Sequence, residues 1–208
     1  WGGRNLEEKL DFNLPSDKKY GESWEVSSHK NGMSVIKNGK YKGKTFQDLI
    51  DEYGEKILGE KTYDKHGNKF PLLIKYLDIN DKLSVQVHPD DKYALKNEGE
   101  LGKTEAWYVI DASSDAELIY GLKGEIDKEV FSKKVKNNDF ENLFNTIDVK
   151  KGDFLFIEPG RVHASLKGSI LICEVQQNSD STYRIYDFDR LVNGQKRDLH
   201  LNKALDVI

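Results

Sequence analysis

Apolar and polar side chains alternate along four short segments in the first part of the chain, the pattern of strands with one buried face. Polar turn residues separate these segments at positions 80–81, 89–102 and 113–115. The alternation therefore predicts strands over residues 70–79, 82–88, 104–112 and 116–122.

Helical spacing marks two other regions. Apolar residues at 46, 49, 50, 53, 57 and 58 predict a helix over 46–58, in which Gly54 is the weak point. Residues 127–144 are predicted as one or two short helices, with Asp127 and either Asn138 or Asp139 as the capping residues. Strand character then returns over 146–149, 153–157, 169–176 and 182–188.

Many short strands with few helices between them are typical of a mainly β sandwich or barrel. A parallel α/β sheet would need a helix after nearly every strand, and the pattern lacks them. Residues 1–45 carry few periodic apolar positions and are predicted as an irregular lead-in that packs on the barrel. The barrel domain is assigned to 46–190, and the polar tail 191–208 is interpreted as a candidate start of a second, truncated β-domain.

Composition narrows the class of protein. The 208 residues carry a net charge of −4, which gives no general attraction to nucleic acid or to an anionic membrane. Apolar runs reach only about four or five residues, far short of a transmembrane helix of about twenty. Cys173 is the single cysteine, so no internal disulfide can form, and we expect a cytoplasmic protein.

The segment Ser84-Val85-Gln86-Val87-His88 carries the first chemical signal. On a strand, positions 84, 86 and 88 share one face while Val85 and Val87 point to the other. If the valines face the core, the polar face lies either on the outer surface or in a cavity. The segment alone favours neither.

The second signal runs from Gly152 to His163. A glycine turn leads into the apolar run Phe154-Leu155-Phe156-Ile157, Pro159-Gly160 ends it, and His163 follows. This pattern fits a hairpin corner with a surface histidine, and equally a ligand at a rigid strand end.

Together these pieces resemble the cupin superfamily. Gly152, Gly160 and His163 have the spacing of the second cupin motif, whereas Gln86 replaces the first histidine of the first motif. A closer resemblance is to the class I mannose-6-phosphate isomerases of the short bacterial type. It is carried, in order, by Trp1-Gly2-Gly3, Gly21-Glu22-Ser23-Trp24 with Ser28-His29, Phe70-Pro71-Leu72-Leu73-Ile74-Lys75 with Ser84 to Asp90, Lys103-Thr104-Glu105-Ala106-Trp107-Tyr108, Pro159-Gly160 with His163-Ala164, and Glu174 with Ser179-Asp180 and Arg184.

The resemblance implies a cupin jelly-roll, or double-stranded β-helix, with a short helical insertion. It also implies interconversion of mannose 6-phosphate and fructose 6-phosphate through a cis-enediol. By position, the metal ligands would be Gln86, His88, Glu105 and His163. They would hold one divalent ion, for which zinc is favoured while manganese, iron and cobalt stay open.

Substrate roles follow from the same resemblance. Lys75 and Ser84 would bind the phosphate, and the catalytic residues would be Lys103, Glu174, Asp180 and Arg184. The expected partner is a small sugar phosphate, and binding to nucleic acid or to a membrane is not expected. The sequence departs from the pattern of the longer family members at two positions. Gly102 stands where they have a histidine, and Ser165 stands where they have an aromatic residue.

Alternatives remain at this point. The chain could be another cupin sugar-phosphate isomerase, of the glucose-6-phosphate type, or a sugar-phosphate-binding cupin without catalysis. Lys75 could be a solvated strand lysine. Asp180 and Arg184 could form a structural ion pair that closes a turn.

Overall fold

The computed structural model describes residues 1–15, 17–140, 142–192 and 194–208. The strands in this part of the chain are β1 (Glu22–Val26), β2 (Ser28–His29), β3 (Gly32–Met33), β4 (Leu72–Ile79), β5 (Val85–Val87), β6 (Glu105–Ala112), β7 (Glu117–Leu122), β8 (Phe144–Asp148), β9 (Phe154–Ile157), β10 (His163–Lys167), β11 (Ile170–Gln177), β12 (Tyr183–Tyr186), β13 (Leu191–Val192) and β14 (Gln195–Lys196). The helices are α1 (Asn5–Leu10), α2 (Phe46–Tyr53), α3 (Glu55–Leu58), α4 (Glu60–His66), α5 (Asp91–Asn97), α6 (Lys128–Lys136) and α7 (Leu201–Val207).

Two five-stranded antiparallel sheets form the barrel in the described residues. The first has the order β1-β4-β11-β6-β9 and the second the order β12-β5-β10-β7-β8. From β4 to β7 and again from β8 to β12, consecutive strands fall in alternate sheets, so the chain winds around the barrel. This confirms the predicted cupin jelly-roll, with α6 as a helical insertion between β7 and β8.

The apolar core is divided between the inside and the outside of the barrel. One buried cluster joins the facing sheets and includes Trp107 and Leu118. The other lies beneath α6 and α7, where Val85, Val87 and Phe131 pack together. Because Val85 and Val87 face this outer cluster, Ser84, Gln86 and His88 point into the barrel. The polar face of this segment therefore lines a cavity.

Along the inner face of the first sheet, each long strand changes from charged to apolar. Lys75 is followed two residues later by Leu77, and their partners on β11 are Glu174 and Ile172. The same alternation places Glu105 ahead of inward-facing Trp107 and Val109 on β6. One end of the barrel interior is thus apolar, and the other holds buried charges.

The helices depart from the predicted boundaries where glycine or a local cap intervenes. The helix predicted over 46–58 stops at Tyr53, because Gly54 adopts φ 41° and starts a new turn. The predicted turn at 89–102 contains α5, capped by the Asp90 side chain on the Tyr93 amide. Asp127 caps α6 as predicted, but α6 is the one helix described between β7 and β8. No helix in the described ranges is long and apolar enough to cross a membrane.

Both ends of the chain contain more regular structure than predicted. Residues 1–45 include α1 and also β1, which forms an edge of the first sheet. The tail 191–208 forms the hairpin β13–β14 and then α7, which packs on β12 and β5. These elements span two to seven residues, too few for a hydrophobic period to show. The division into domains stays a prediction.

The outer core offers a test by a matched pair of substitutions on α6. Phe131 is 1% exposed and belongs to the outer cluster, while its neighbour Val130 is 48% exposed. Phe131→Ala should lower the free energy of unfolding by about 3 kcal/mol, because it leaves a cavity. Val130→Ala should change it by less than about 0.5 kcal/mol. Equal denaturant midpoints for the two variants would contradict the packing of α6.

Candidate functional site

Three buried side chains converge at the polar end of the barrel: His88, Glu105 and His163. They are 1–2% exposed, and their ligand atoms lie within 4.8 Å of one another. His88 Nε2 is 3.3 Å from Glu105 Oε1, and His163 Nε2 is 3.5 Å from Glu105 Oε2. The described part of the chain holds no second such group of histidine, cysteine and carboxylate side chains.

Backbone carbonyls orient both imidazole rings. His88 Nδ1 lies 2.9 Å from the carbonyl oxygen of Ser181, and His163 Nδ1 lies 2.9 Å from that of Arg161. Because a carbonyl can only accept, each Nδ1 carries the proton and each Nε2 is unprotonated, with its lone pair able to accept. Both lone pairs face Glu105, which is the arrangement of histidines that bind a metal through Nε2.

Gln86 completes the cluster from β5. Its amide nitrogen lies 3.3 Å from His163 Nε2, and Cα atoms of the two residues pair across β5 and β10. Its amide oxygen accepts a hydrogen bond from Ser84 Oγ over 3.4 Å. A 180° flip of the Gln86 side-chain amide would exchange its nitrogen and oxygen and place the oxygen towards His163.

Burial sets the protonation of the cluster. Desolvation lowers the pKa of His88 to about 4, helped by the charge of Lys103, and desolvation also lowers the pKa of His163. Burial opposes ionisation of Glu105, but His88 and the Lys103 ammonium outweigh it and hold the pKa of Glu105 well below its usual value. Near neutral pH the cluster is one carboxylate with two neutral imidazoles.

This donor set suits a divalent metal ion. His88 Nε2 and Glu105 Oε2 are buried without a hydrogen-bond partner, a costly arrangement that a bound cation would relieve. Two imidazole nitrogens, a carboxylate and an amide oxygen form a mixed site that fits zinc and several other divalent ions. The four predicted ligands thus lie together, and the residues present fit the group.

Two close backbone approaches fix the cluster in place. A Cβ at Gly102 would lie 2.4 Å from the carbonyl carbon of Asp90, so this position has no room for the histidine of longer family members. Gly160 has φ 83°, and a Cβ there would lie 2.6 Å from the carbonyl oxygen of Val207 in α7. The Gly160 amide donates to the His88 carbonyl over 2.9 Å, which links the two histidine segments.

A cavity of about 350 Å³ opens onto the cluster, and the predicted phosphate residues Lys75 and Ser84 line it. Lys75 is 8% exposed, so it is not a solvated strand lysine. Its Nζ lies 3.3 Å from Glu22 and 3.4 Å from Glu174. Burial would lower the pKa of Lys75, but Glu174 and Glu22 outweigh burial and raise it.

The predicted catalytic residues also line the cavity: Lys103, Glu174, Asp180 and Arg184. Burial, and then the charge of Glu105, raise the pKa of Glu174 to about 7. Lys103 Nζ lies 3.3 Å from Glu105 Oε1. Every predicted site residue is therefore at or beside this cavity.

Asp180 and Arg184 do not form the ion pair considered above. Asn31 donates to Asp180 Oδ2 over 2.9 Å, while Arg184 Nη1 donates to the Asp198 carbonyl over 2.8 Å. Arg184 Nε is buried without a hydrogen-bond partner, and burial lowers the pKa of this guanidinium. Arg184 is therefore a cation with unused hydrogen-bonding capacity at the cavity wall.

Sequence reasoning assigned no role to seven other lining residues: Trp1, Glu22, Leu77, Leu83, Trp107, Thr182 and Arg197. Trp1 and Glu22 belong to motifs quoted for the family resemblance, which could have pointed to them. Arg197 lies in the polar tail, where neither periodicity nor a motif marks it. Its guanidinium is bound to Asp187, at 2.8 and 2.6 Å.

Comparisons with known proteins agree with this geometry. Residues 1–122 match the family model of the phosphomannose isomerase type I catalytic domain. A mannose-6-phosphate isomerase of Streptococcus mutans is 48% identical over 209 residues, covering 100% of this chain and 64% of that protein. A probable mannose-6-phosphate isomerase of Bacillus subtilis is 48% identical over 210 residues, with the same coverage.

Solved structures show the same similarity. The mannose 6-phosphate isomerase from Bacillus subtilis matches with a TM-score of 0.89 and 44% identity, over 99% of this chain and 64% of that chain. A putative mannosephosphate isomerase from Archaeoglobus fulgidus gives a TM-score of 0.78 at 28% identity, over 100% of this chain and 63% of that one. The chain thus spans 64% of the length of the curated relatives named here.

The metal centre is tested by exchanging one ligand. His163→Ala removes a buried imidazole that faces Glu105, so the purified variant should lose most bound metal by elemental analysis. His66→Ala is the matched control, because His66 ends α4 and does not line the cavity. Full metal occupancy in His163→Ala would contradict the assignment.

Proposed function

Because the chain belongs to the type I phosphomannose isomerase family, we propose that it interconverts mannose 6-phosphate and fructose 6-phosphate with one divalent metal bound. The observation that carries the proposal is the buried cluster of His88, Glu105 and His163, whose carboxylate residue lines a charged cavity. The 48% identity to a mannose-6-phosphate isomerase along the whole chain supports the substrate. No feature of the cavity favours either rival function.

Gln86, His88, Glu105 and His163 are the proposed metal ligands, and zinc is the proposed ion. When bound, such an ion supplies a Lewis acid that polarises and orients sugar oxygens. The carbonyls of Ser181 and Arg161 orient both rings, so that the two Nε2 atoms would be available to hold such an ion. A preformed ligand set of this kind needs little rearrangement to bind.

We propose that Ser84 and Lys75 bind the phosphate group. At the rise of an extended strand, the Cα of Ser84 lies roughly 13 Å from that of His88, while its Oγ lies 3.4 Å from the Gln86 amide oxygen. Binding energy gained at the phosphate can then position the reacting carbons. Lys75 already faces Glu22 and Glu174, so a bound phosphate would share its charge with them.

The reaction moves a proton between C2 and C1 through a cis-enediol. Glu174 and Asp180 are the candidate bases. Glu174, with a pKa of about 7, can accept and return a proton near neutrality. Arg184 and Lys103 carry the positive charge that would stabilise an enediolate oxygen, and Arg184 lines the cavity.

The decisive experiment is a coupled assay on protein reconstituted with zinc, manganese or cobalt. Fructose 6-phosphate should form from mannose 6-phosphate much faster than from glucose 6-phosphate. Faster turnover of glucose 6-phosphate would favour the related isomerase. Metal and sugar-phosphate binding without deuterium exchange at C2 would favour a binding protein. We also propose a cytoplasmic location, which the half-buried, unpaired Cys173 supports.

The role of Arg184 is tested by keeping its charge and changing its shape. Arg184→Lys loses the planar fork, so kcat should fall at least about tenfold, equal to about 1.4 kcal/mol of transition-state stabilisation. Melting temperature and metal content should change little. Arg4→Lys, at an arginine that pairs with Glu7 away from the cavity, should keep normal turnover. If Arg184→Lys melts several degrees lower yet turns over normally, Arg184 is structural.

A further inference from the structure

Glu100 connects elements that sequence reasoning did not bring together. It lies between α5 and β6, five positions before Glu105. Its side chain is 22% exposed and does not belong to the residues described as lining the cavity. Its contacts nevertheless lead to the metal cluster in two steps.

The Glu100 carboxylate collects hydrogen bonds from three consecutive residues. Its Oε1 accepts from Ser181 Oγ at 2.6 Å, from Ser179 Oγ at 3.2 Å and from the Asp180 amide at 3.3 Å. Its Oε2 lies 3.4 Å from Nε2 of the buried His29. Burial would raise the pKa of Glu100, but the hydrogen bonds, led by that of Ser181, outweigh burial and lower it.

Residues 179–181 have two separate links to the site. The Ser181 carbonyl accepts the Nδ1 proton of His88 at 2.9 Å and so sets the direction of His88 Nε2. Asp180 lines the cavity, and Asn31 holds its carboxylate from the other side. A shift of this segment would therefore turn a proposed metal ligand and move a candidate base together.

We infer that Glu100 is a positioning residue for the metal centre, which holds residues 179–181 so that the Ser181 carbonyl orients His88 towards Glu105. The inference rests on the proposed metal-dependent function. Glu100 suits the role because a carboxylate offers two acceptor oxygens to donors converging from a loop and from β2. Partners behind a ligating histidine typically change metal affinity by about 10- to 100-fold.

The test measures metal binding without any sugar. Zn²⁺ or Co²⁺ is added to chelator-treated protein, and its affinity is read by competition with a chromophoric chelator. Glu100→Ala should bind both ions about tenfold more weakly and change the visible spectrum of bound Co²⁺, because the His88 ring is no longer fixed. Ser181→Ala keeps the carbonyl but loses the shortest hydrogen bond to Glu100, so about a threefold loss is expected.

Glu98→Gln is the matched control. Glu98 lies two positions away and binds Tyr183 and Lys203, with no described hydrogen bond to residues 179–181. It should leave the metal affinity and the Co²⁺ spectrum unchanged. In the loaded enzyme, Glu100→Ala should lower kcat more than it alters KM. If Glu100→Ala does not fold, the Ser181→Ala result decides.

Wild-type affinity and an unchanged Co²⁺ spectrum in Glu100→Ala would overturn the inference. An equal loss in Glu98→Gln would also overturn it, since the effect would then be general destabilisation. A wild-type chain that takes up neither ion would remove its premise and overturn it as well. Weaker metal binding in Glu100→Ala, found beside an absence of isomerase turnover, would support the inference while the proposed function fails.

Discussion

The buried carboxylate of Glu105 is the constraint on which the site depends. A charge removed from water is costly unless it is paired and hydrogen-bonded, and Glu105 is 2% exposed. Lys103 provides the opposite charge, and two imidazoles face the two carboxylate oxygens. These neighbours come from three separate segments of the chain, so they stay in place only if the barrel holds its strands rigidly.

The division of the apolar core into an inner and an outer cluster allows one barrel to hold that arrangement. The outer cluster under α6 and α7 takes the valines of β5, which frees the inner side of β5 for polar residues. Inside, Trp107 and its apolar neighbours fill the opposite end of the barrel. The helical insertion and α7 thus contribute to the site by burying the side of β5 that faces away from His88, Glu105 and His163.

The sequence pattern was informative where an element was long enough to show its period. The strands near Lys75, Glu105 and Glu174 lie close to where alternation predicts them, since each runs through eight residues. Alternation alone could not decide whether the side chains of Ser84, Gln86 and His88 point into the barrel or out of it. That depends on whether the valines of β5 pack in the inner or the outer apolar cluster. Strand β10 was missed after His163, as a five-residue strand beside a Pro-Gly turn has little period to detect. Glu100 and Arg197 lie in loops, where contacts have no periodic signature.

The balance of charge in the cavity follows from the same constraint. The cations Lys75, Lys103, Arg184 and Arg197 line it together with the acids Glu22, Glu105, Glu174 and Asp180. Because these charges balance, the cavity itself does not strongly attract an anion. A sugar phosphate brings a charge of roughly −1.5 to −2. Under the proposed function, a divalent cation beside Glu105 would offset that charge, and the site with metal and substrate bound would again be close to neutral. Under the proposed function, metal and phosphate would therefore support each other's binding across the cavity.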